Sequence, residues 1–192
     1  SAVFAADDMG NLPDARDMDP TRLDTWIAIN KQGDVTAYWG KMDMGQGVDT
    51  AISQMVAEEL DVSIDRVTVL FGDTWVMTDQ GGASGSSGVS NSGVALREAA
   101  AEARLVLLEK AAAQMQVSID KLTVTDGVIH EQGNTTKSIS YGEIIGDKLF
   151  NVPLEWNGEL GNELELKTRA KLKDPSTYKV VGTSVRRKDI AG

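Results

Sequence analysis

Two glycine-rich runs decide the architecture of this chain: KMDMGQG at residues 41–47 and GGASGSSGVSNSG at residues 81–93. Each run leads directly into a segment whose apolar residues recur at helical spacing. The first N–H groups of a helix have no partner within the helix, and the helix dipole makes that end positive. The pattern therefore predicts two helix starts that together bind an anionic, phosphate-rich cofactor.

The second run also has a simpler interpretation, because Gly/Ser composition is typical of solvated linkers. A linker separates domains, whereas this run feeds into an apolar helix for which Asn91 or Ser92 is a candidate N-cap. Two hypotheses therefore stay open at this point. The run is either a built-in binding loop or the hinge of a non-catalytic acidic binding or assembly module.

Composition limits the kinds of partner. The chain has 192 residues, 41% of them hydrophobic, which is enough for a substantial core. Its formal net charge is -10, whereas nucleic acids and anionic membrane surfaces attract basic proteins. We therefore expect neither of them as a partner. No apolar stretch in the sequence reaches the length of a membrane-spanning helix.

Metal-binding residue types are scarce. The chain contains no cysteine and a single histidine, so disulfides, thiolate zinc sites and iron–sulfur ligation by this chain are excluded. His130 lies in the strand-like run VIHEQG, where a partly exposed strand histidine is expected rather than a metal ligand. We therefore predict no metal ligand among these side chains.

The amino-terminal residues predict an extended arm. Residues 1–23 are acidic, contain Pro13 and Pro20 and show no helical or strand period. The chain begins with SAVFAADD, which resembles the stretch that follows a removed export signal; this favours a periplasmic protein, with a cytoplasmic location as the alternative. After the arm we place a cofactor-binding domain at residues 24–150 and an extended segment at residues 151–192 that leads toward a further domain.

The remaining patterns predict an α+β fold with a mixed sheet and two main helices. Apolar residues at helical spacing cover residues 48–60 and 95–116, and the turn pair Asp126-Gly127 joins two short strands. A short helix is predicted after Tyr141. The predicted strands are residues 25–30, 35–39, 67–71, 122–125, 128–130 and 160–169.

An internal repeat joins the two halves of the predicted domain. DVSIDRVTV follows the first predicted helix at residues 61–69, and VSIDKLTV follows the second at residues 117–124. Two loop-helix-turn-strand units therefore recur at a spacing of about 55 residues. Equivalent packing of the two units would bring both glycine runs to one edge of the sheet. The alternative is that Val-Ser-Ile-Asp is only a common joint between a helix and a strand.

The order of these motifs resembles a known family. MGQG after a strand, a helix that ends in AEELDV, and a Gly/Ser stretch before REAAAEAR are similar to the large subunit of the molybdenum hydroxylases, the xanthine oxidase superfamily. The branch that the chain resembles contains isoquinoline 1-oxidoreductase, nicotinate dehydrogenase and membrane-associated aldehyde dehydrogenases. Further similar landmarks are DGVIHEQG, SYGEII, LKDPSTYKVVG and VRRKDIAG.

The resemblance implies a cofactor and a reaction. Members of this family bind a molybdopterin cofactor, in bacterial members usually as the cytosine dinucleotide, and oxidise an N-heteroaromatic compound or an aldehyde with oxygen drawn from water. The resemblance also implies a 2Fe-2S partner subunit and a remaining large-subunit polypeptide that carries the catalytic glutamate. No motif here matches that glutamate. We therefore expect no catalytic residue on this chain, and a fragment, processed product or separately encoded subunit that is inactive alone.

The resemblance further implies which residues hold the cofactor. Gln46 would place its side-chain amide against the pterin or a molybdenum oxygen, with Gly45 and Gly47 allowing close backbone approach. A helix-capping amide is the alternative role for Gln46. The pyrophosphate would be bound by four residues of the second run, namely Ser84, Gly85, Ser86 and Ser87.

The sequence departs from the family at two places. Asp43 stands where relatives usually carry Glu, and the second run has only small residues where relatives often carry Arg and Trp. Glu58 and Glu59 are interpreted as helix surface. None of these three carboxylates is therefore predicted to be a general base.

Overall fold

The computed structural model of the chain describes residues 18–73 and 76–188. Residues 1–17, which make up most of the predicted arm, lie outside the described residues. Across the described ranges, a pair of main helices packs with small sheets, one of them mixed, so the predicted α+β class is confirmed. No helix among these residues is long and apolar enough to cross a membrane.

The first sheet is mixed and has three strands. β1 (Ile27–Ile29) pairs antiparallel with β2 (Val35–Trp39), and β2 pairs parallel with β3 (Val67–Phe71). Parallel neighbours need a crossover connection, which contains helix α1 (Val48–Leu60). Because β2 and β3 run in the same direction, their carboxyl ends meet at one edge of the sheet. The two glycine runs follow those two ends along the chain.

The two long helices supply much of the core. α2 (Gly93–Met115) packs against α1, and its many alanines combine high helix propensity with small side chains. A π-helical stretch at Gly88–Ser92 precedes α2. The predicted N-cap at Asn91 or Ser92 is therefore wrong, because the helical backbone continues through both residues and no side chain caps α2. Large side chains that are fully buried include Trp26, Trp39, Ile52, Leu60, Leu96 and Leu107.

A second, antiparallel sheet follows α2 in the chain. It contains β4 (Leu122–Thr125), β5 (Val128–Glu131) and β6 (Asn134–Ser140) in that order. Asp126 and Gly127 join β4 to β5 with φ angles of 46° and 74°, which an Asp-Gly pair adopts readily. The predicted hairpin is confirmed, and β6 extends it by a strand that the sequence did not predict.

The short helix predicted after Tyr141 begins at that residue. In α3 (Tyr141–Ile144) the Ser140 hydroxyl accepts the Glu143 N–H, and the Glu143 carboxylate accepts the Ser140 N–H, which is a capping box. The buried Tyr141 hydroxyl donates to the Leu60 carbonyl at 2.9 Å. This bond ties the second sheet to the end of α1.

Both VSID segments adopt the same joint. Each preceding helix ends on a residue with left-handed backbone angles, Asp61 (φ 52°) or Gln116 (φ 54°), and a 3-10 turn then leads into β3 or β4. The strands pair differently, since β3 runs parallel to β2 and β4 runs antiparallel to β5. The repeat is therefore confirmed for the joint and does not extend to the sheet that follows it.

The carboxyl-terminal residues form two short strands and an extended segment. β7 (Glu155–Trp156) pairs antiparallel with β8 (Leu166–Lys167), and a 3-10 turn (Gly161–Glu163) lies between them. The predicted single strand over residues 160–169 is therefore wrong, because the chain turns inside it. Residues 168–188, which contain no strand, are called the strap below.

The interpretation of Glu58 and Glu59 as helix surface is also wrong. Their exposed fractions are 3% and 1%, because the strap covers the face of α1 on which they lie. Glu59 forms an ion pair with Arg97 at 2.7 Å and accepts the Lys173 N–H. Both carboxylates are therefore engaged in contacts that hold the fold.

Buried carboxylates bind the strap through its backbone. Glu58 Oε2 accepts the N–H groups of residues 179–181 at distances of 2.6 to 2.9 Å. On α2 the buried Glu102 accepts the N–H groups of Arg169 and Ala170 in the same way. A hydrogen bond to a charged group contributes about 1.5–3 kcal/mol. The strap is thus held by charge on two helices rather than by a strand ladder.

Replacement of Glu58 by Gln should loosen the strap. The amide keeps the shape of the side chain but removes its negative charge, so amide hydrogen exchange at residues 179–181 should become about tenfold faster. Mass spectrometry of exchanged peptides measures this rate.

The matched control is Glu109→Gln. The Glu109 side chain is 45% exposed and pairs with Arg169, and exposed ion pairs contribute little. Equal exchange rates at residues 179–181 in the Glu58 and Glu109 variants would contradict the role given to Glu58.

Candidate functional site

The two glycine runs meet where α1 and the π-helical stretch begin. A Cβ atom on Gly88 would lie 3.3 Å from Val48 Cγ2 and 3.4 Å from the Trp39 ring, so glycine permits this close approach. The predicted convergence of the two helix starts is therefore confirmed. We call residues 41–47 the MGQG loop and residues 81–87 the Gly/Ser loop.

Asp43 binds the N–H groups of the MGQG loop. Its Oδ1 accepts from Gly45 at 2.8 Å and from Gly47 at 3.3 Å, and its Oδ2 accepts from Asp49 at 3.0 Å. Donors that the sequence predicted to face an external anion are therefore already bound to the chain's own carboxylate. The two glycines have φ angles of 98° and 73°, a region that side chains disfavour.

These contacts also set the acidity of Asp43. Burial raises the pKa of Asp43, but hydrogen bonds from the N–H groups of Asp49, Gly45, Gly47 and Val48 outweigh it, so the pKa lies below its ordinary value. Asp43 is therefore ionised at neutral pH and serves as a structural anion at the start of α1.

Gln46 folds back onto its own loop. Its Oε1 accepts the Met44 N–H at 2.7 Å, and its Nε2 donates to the Met42 carbonyl at 3.4 Å. It does not cap α1, whose N-cap Gly47 has no side-chain hydrogen bond. Gln46 is exposed and Met44 is 72% exposed, so the loop presents an amide and an apolar side chain outward.

The Gly/Ser loop has donors that no other described residue binds. Ser84, Gly85 and Ser86 are exposed, and the last two have left-handed backbone angles with φ of 58° and 60°. Among the described residues, no acceptor binds the amides of Gly85 and Ser86 or the hydroxyls of Ser84 and Ser86. Ser87 differs, because it is buried and its hydroxyl donates to the Ser84 carbonyl at 2.7 Å. Three of the four predicted residues thus face outward, and Ser87 faces the protein.

A buried lysine that sequence reasoning missed ties the two loops together. The Lys41 ammonium donates to the carbonyls of Gly82 at 2.9 Å and Gly81 at 3.4 Å and to the Ser87 hydroxyl at 3.2 Å. It also donates to the side-chain oxygen of Asn162. The lysine precedes a glycine loop, where a solvated side chain is the ordinary expectation, so no local pattern revealed this contact.

Gln80 makes a second connection at the base of the loops, the segments that lead into them. Its Oε1 accepts the Gly40 N–H at 2.6 Å, and its Nε2 donates to the Ser92 carbonyl at 3.2 Å. The backbones are so close here that a Cβ atom on Gly40 would lie 1.9 Å from the Thr78 carbonyl oxygen. The segments before the two loops are therefore fixed against each other.

Three buried polar atoms near the loops have no hydrogen-bond partner among the described residues: Trp39 Nε1, Thr78 Oγ1 and Ser92 Oγ. The first two belong to the segments that enter the two loops, and the third ends the π-helical stretch. An unpaired buried polar group costs about 1–3 kcal/mol. Their position therefore favours a site that a group outside the described residues completes.

The other candidate residues lie apart from the two loops. His130 is half-buried on β5, as predicted. Within residues 18–73 and 76–188 no group of three or more His, Asp or Glu side chains is arranged to hold a metal ion. The arrangement around the loops is thus one of backbone amides, hydroxyls and a buried ammonium.

The chain is similar to known proteins along nearly its whole length. Residues 7–187 match the family model of a molybdopterin cofactor-binding domain. One subunit of the nicotinate dehydrogenase from Pseudomonas putida is 34% identical over 184 residues, which cover 94% of this chain and 14% of that protein. The beta subunit of the isoquinoline 1-oxidoreductase from Brevundimonas diminuta is 29% identical over 199 aligned positions, which cover 86% of this chain and 24% of that protein.

Solved structures extend this similarity to the fold. The crystal structure of a Cu,Mo-CO dehydrogenase in its carbon monoxide-reduced state aligns with a TM-score of 0.55 and 26% identity, covering 62% of this chain and 15% of that chain. The chain thus spans about a quarter or less of the length of the relatives that it matches.

Replacement of Gly40 by Ala should destabilise the base of the loops. The new Cβ would clash with the Thr78 carbonyl, so the free energy of unfolding should fall by about 1–3 kcal/mol, measured by denaturant titration. Gly82→Ala is the matched control, because nothing lies within 4 Å of a Cβ there. Equal stability of the two variants would show that the close approach carries no cost.

The MGQG loop should open in acid. The lowered pKa of Asp43 means that its ionised form stabilises the loop above the ordinary pKa of about 3.9, and this stabilisation is lost as the pH falls through the lowered pKa. Exchange of the Gly45 and Gly47 amides, corrected for intrinsic rates, should therefore rise below about pH 4. In Asp43→Asn the amides should exchange faster at pH 7, with no further acid transition. A variant that keeps the acid transition would assign it to another group.

Proposed function

Because the chain belongs to the molybdopterin cofactor-binding domain family, we propose that it contributes to the cofactor site of a molybdenum-dependent hydroxylase or dehydrogenase. The proposed substrate is an N-heteroaromatic compound or an aldehyde, and the oxygen of the product comes from water. The relatives named for nicotinate and isoquinoline oxidation support the heteroaromatic class. The aldehyde class rests on the resemblance of the sequence motifs.

The Gly/Ser loop fits the phosphate end of the cofactor, which we propose to be molybdopterin cytosine dinucleotide. Two amides, of Gly85 and Ser86, and two hydroxyls, of Ser84 and Ser86, are available to phosphate oxygens. Ser87 acts from the protein side, where its hydroxyl fixes the Ser84 carbonyl. These unpartnered donors at a helix start are the single observation that carries the proposal.

The MGQG loop is assigned to the pterin end. The exposed amide of Gln46 has both a donor and an acceptor, and either can exchange its present loop contact for a contact with the cofactor. Gly45 and Gly47 keep the backbone open to close approach. The contact between the two helix starts holds this loop beside the Gly/Ser loop, so one elongated molecule can reach both.

The molybdenum cofactor, when bound, supplies the redox chemistry of the reaction. The residues of this chain bind and orient it. Three carboxylates in or near the MGQG motif are engaged in other contacts: Asp43 with loop amides, and Glu58 and Glu59 with the strap. We therefore assign the catalytic glutamate to the remaining large-subunit polypeptide and electron exit to 2Fe-2S clusters on a partner subunit. Under this proposal the chain is inactive alone.

The alternative, a hinge in a non-catalytic assembly module, has less support. A hinge needs backbone freedom, whereas Lys41 binds the carbonyls of Gly81 and Gly82. A Cβ atom on Gly81 would lie 2.7 Å from the Asn162 nitrogen, so the start of the Gly/Ser loop is packed against the chain. A Gly/Ser loop whose start is fixed by packing, and whose N–H and hydroxyl donors face outward, is suited to binding a ligand.

The proposal predicts the content of the assembled enzyme. The complex purified with its partner chains should contain molybdenum and should release a cytosine nucleotide on denaturation, measured by metal analysis and mass spectrometry. The double variant Ser84→Ala/Ser86→Ala should release the nucleotide about tenfold faster, because two hydroxyl contacts are lost.

Ser138→Ala is the matched control, since Ser138 is an exposed serine on β6, outside the two loops. Its nucleotide release should equal that of the unchanged enzyme. An intact assembly without molybdenum and without nucleotide would refute the proposed function. Unchanged release in the double variant would refute the assignment of the phosphate to this loop.

A further inference from the structure

The Gly/Ser loop lies on a buried positive charge. Among the described residues Lys41 is the only lysine or arginine that is buried as a whole, with an exposed fraction of 3%. Its ammonium donates to four neutral oxygens and forms no ion pair within the described ranges. Burial lowers the pKa of Lys41, and the nearby exposed Asp79 opposes that shift.

A buried ammonium without a paired anion connects the two loops at a high cost in desolvation free energy. The penalty for taking an ion out of water is several kcal/mol, and neutral oxygens offset only some of it. A neutral side chain makes such ties without that cost, as Gln80 does at the base of the same loops. We therefore expect the positive charge of Lys41 to have a function besides connecting the two loops.

The geometry of the peptide group connects this charge to the outer side of the loop. In a trans peptide the carbonyl of one residue and the N–H of the next point in opposite directions, and no peptide bond among the described residues is cis. Lys41 binds the carbonyls of Gly81 and Gly82, so the N–H groups of Gly82 and Ala83 point away from the ammonium. Within the described residues neither N–H group has an acceptor.

We propose that Lys41 is a positioning residue for phosphate binding, which turns the amides of Gly82 and Ala83 outward and places a positive charge beneath them. The amides of Gly85 and Ser86 lie a few residues further along the same loop, also without partners among the described residues. The ligand class is the diphosphate of a nucleotide-bearing cofactor. This inference rests on the proposed function and adds to it one charged group and two backbone donors.

The test measures nucleotide release from the assembled enzyme. Lys41→Gln keeps a polar side chain but removes the charge, so release should become about tenfold faster. Lys41→Arg keeps the charge and should stay near the unchanged enzyme. Asn162→Ala removes one acceptor of the ammonium without changing the charge, and should accelerate release by less than about threefold.

The outcomes separate this inference from the proposed function. If the unchanged enzyme carries no nucleotide, both fail together. If it carries nucleotide and Lys41→Gln releases it at the same rate, only the role of Lys41 is refuted. Equal acceleration in Lys41→Gln and Asn162→Ala would also refute it, because the lysine would then act as a tether alone.

A second pair of variants decides the matter if hydrogen exchange in β2 and α1 shows that Lys41→Gln does not fold. Ala83→Pro deletes one outward N–H group and leaves the lysine in place, whereas Ala83→Ser keeps that N–H group. Faster nucleotide release in the proline variant than in the serine variant would support the outward amides. Equal release in both would overturn them.

Discussion

The amino termini of α1 and of the π-helical stretch lie in contact, so their positive dipole ends add at one place. The charged groups around them are arranged to suit this positive potential. Gly88 packs on Val48 at the start of α1, and each helix start contributes about half a positive charge. The Lys41 ammonium adds a full charge at the same place. At the first start Asp43 supplies a compensating anion that accepts two loop amides and the Asp49 amide of α1. At the Gly/Ser loop Asp79 accepts only the Gly81 N–H, at 2.8 Å, and no carboxylate among the described residues binds the amides of residues 82–86. This loop therefore still favours an anion from outside.

A second constraint is the burial of carboxylates in an acidic chain. Glu58, Glu59 and Glu102 lie under the strap rather than on the surface, and each accepts strap N–H groups. A buried charge must be fully hydrogen-bonded, and an extended segment without strand partners must bond its N–H groups elsewhere. Here the strap N–H groups are the donors that the buried carboxylates require, and the carboxylates are the acceptors that the strap requires. The acidic residues of the AEELDV motif are therefore explained by packing, and they are not available as bases for catalysis.

Much of the fold could be predicted from local sequence patterns, whereas the geometry of the site depends on contacts between residues that are far apart in the chain. The helices and the Asp126-Gly127 hairpin could be predicted because spacing and turn preference are properties of short segments. The role of Asp43 was within reach, since an Asp two residues before a glycine is a known turn pattern. The buried state of Glu58 was not, because its partners lie more than 120 residues later in the chain. Lys41 likewise looked like a solvated loop residue, and its four acceptors come from segments that local patterns do not bring together.

The strap also connects the two ends of α1, and this connection reaches the site. Near the end of the helix the Lys173 ammonium pairs with Asp61, which places a cation where the helix dipole favours one. Near the start of the helix Arg187 donates to the Gly45 carbonyl at 2.7 Å. A Cβ atom on Gly47 would lie 2.6 Å from Arg187 Nε, so glycine at this position also gives the guanidinium room to reach the loop. One segment is thus fixed at the buried carboxylates and at the MGQG loop, and displacement of the strap must alter the loop that we assign to the pterin. The position of that loop is therefore set by packing along the whole of α1, not by the glycine sequence alone.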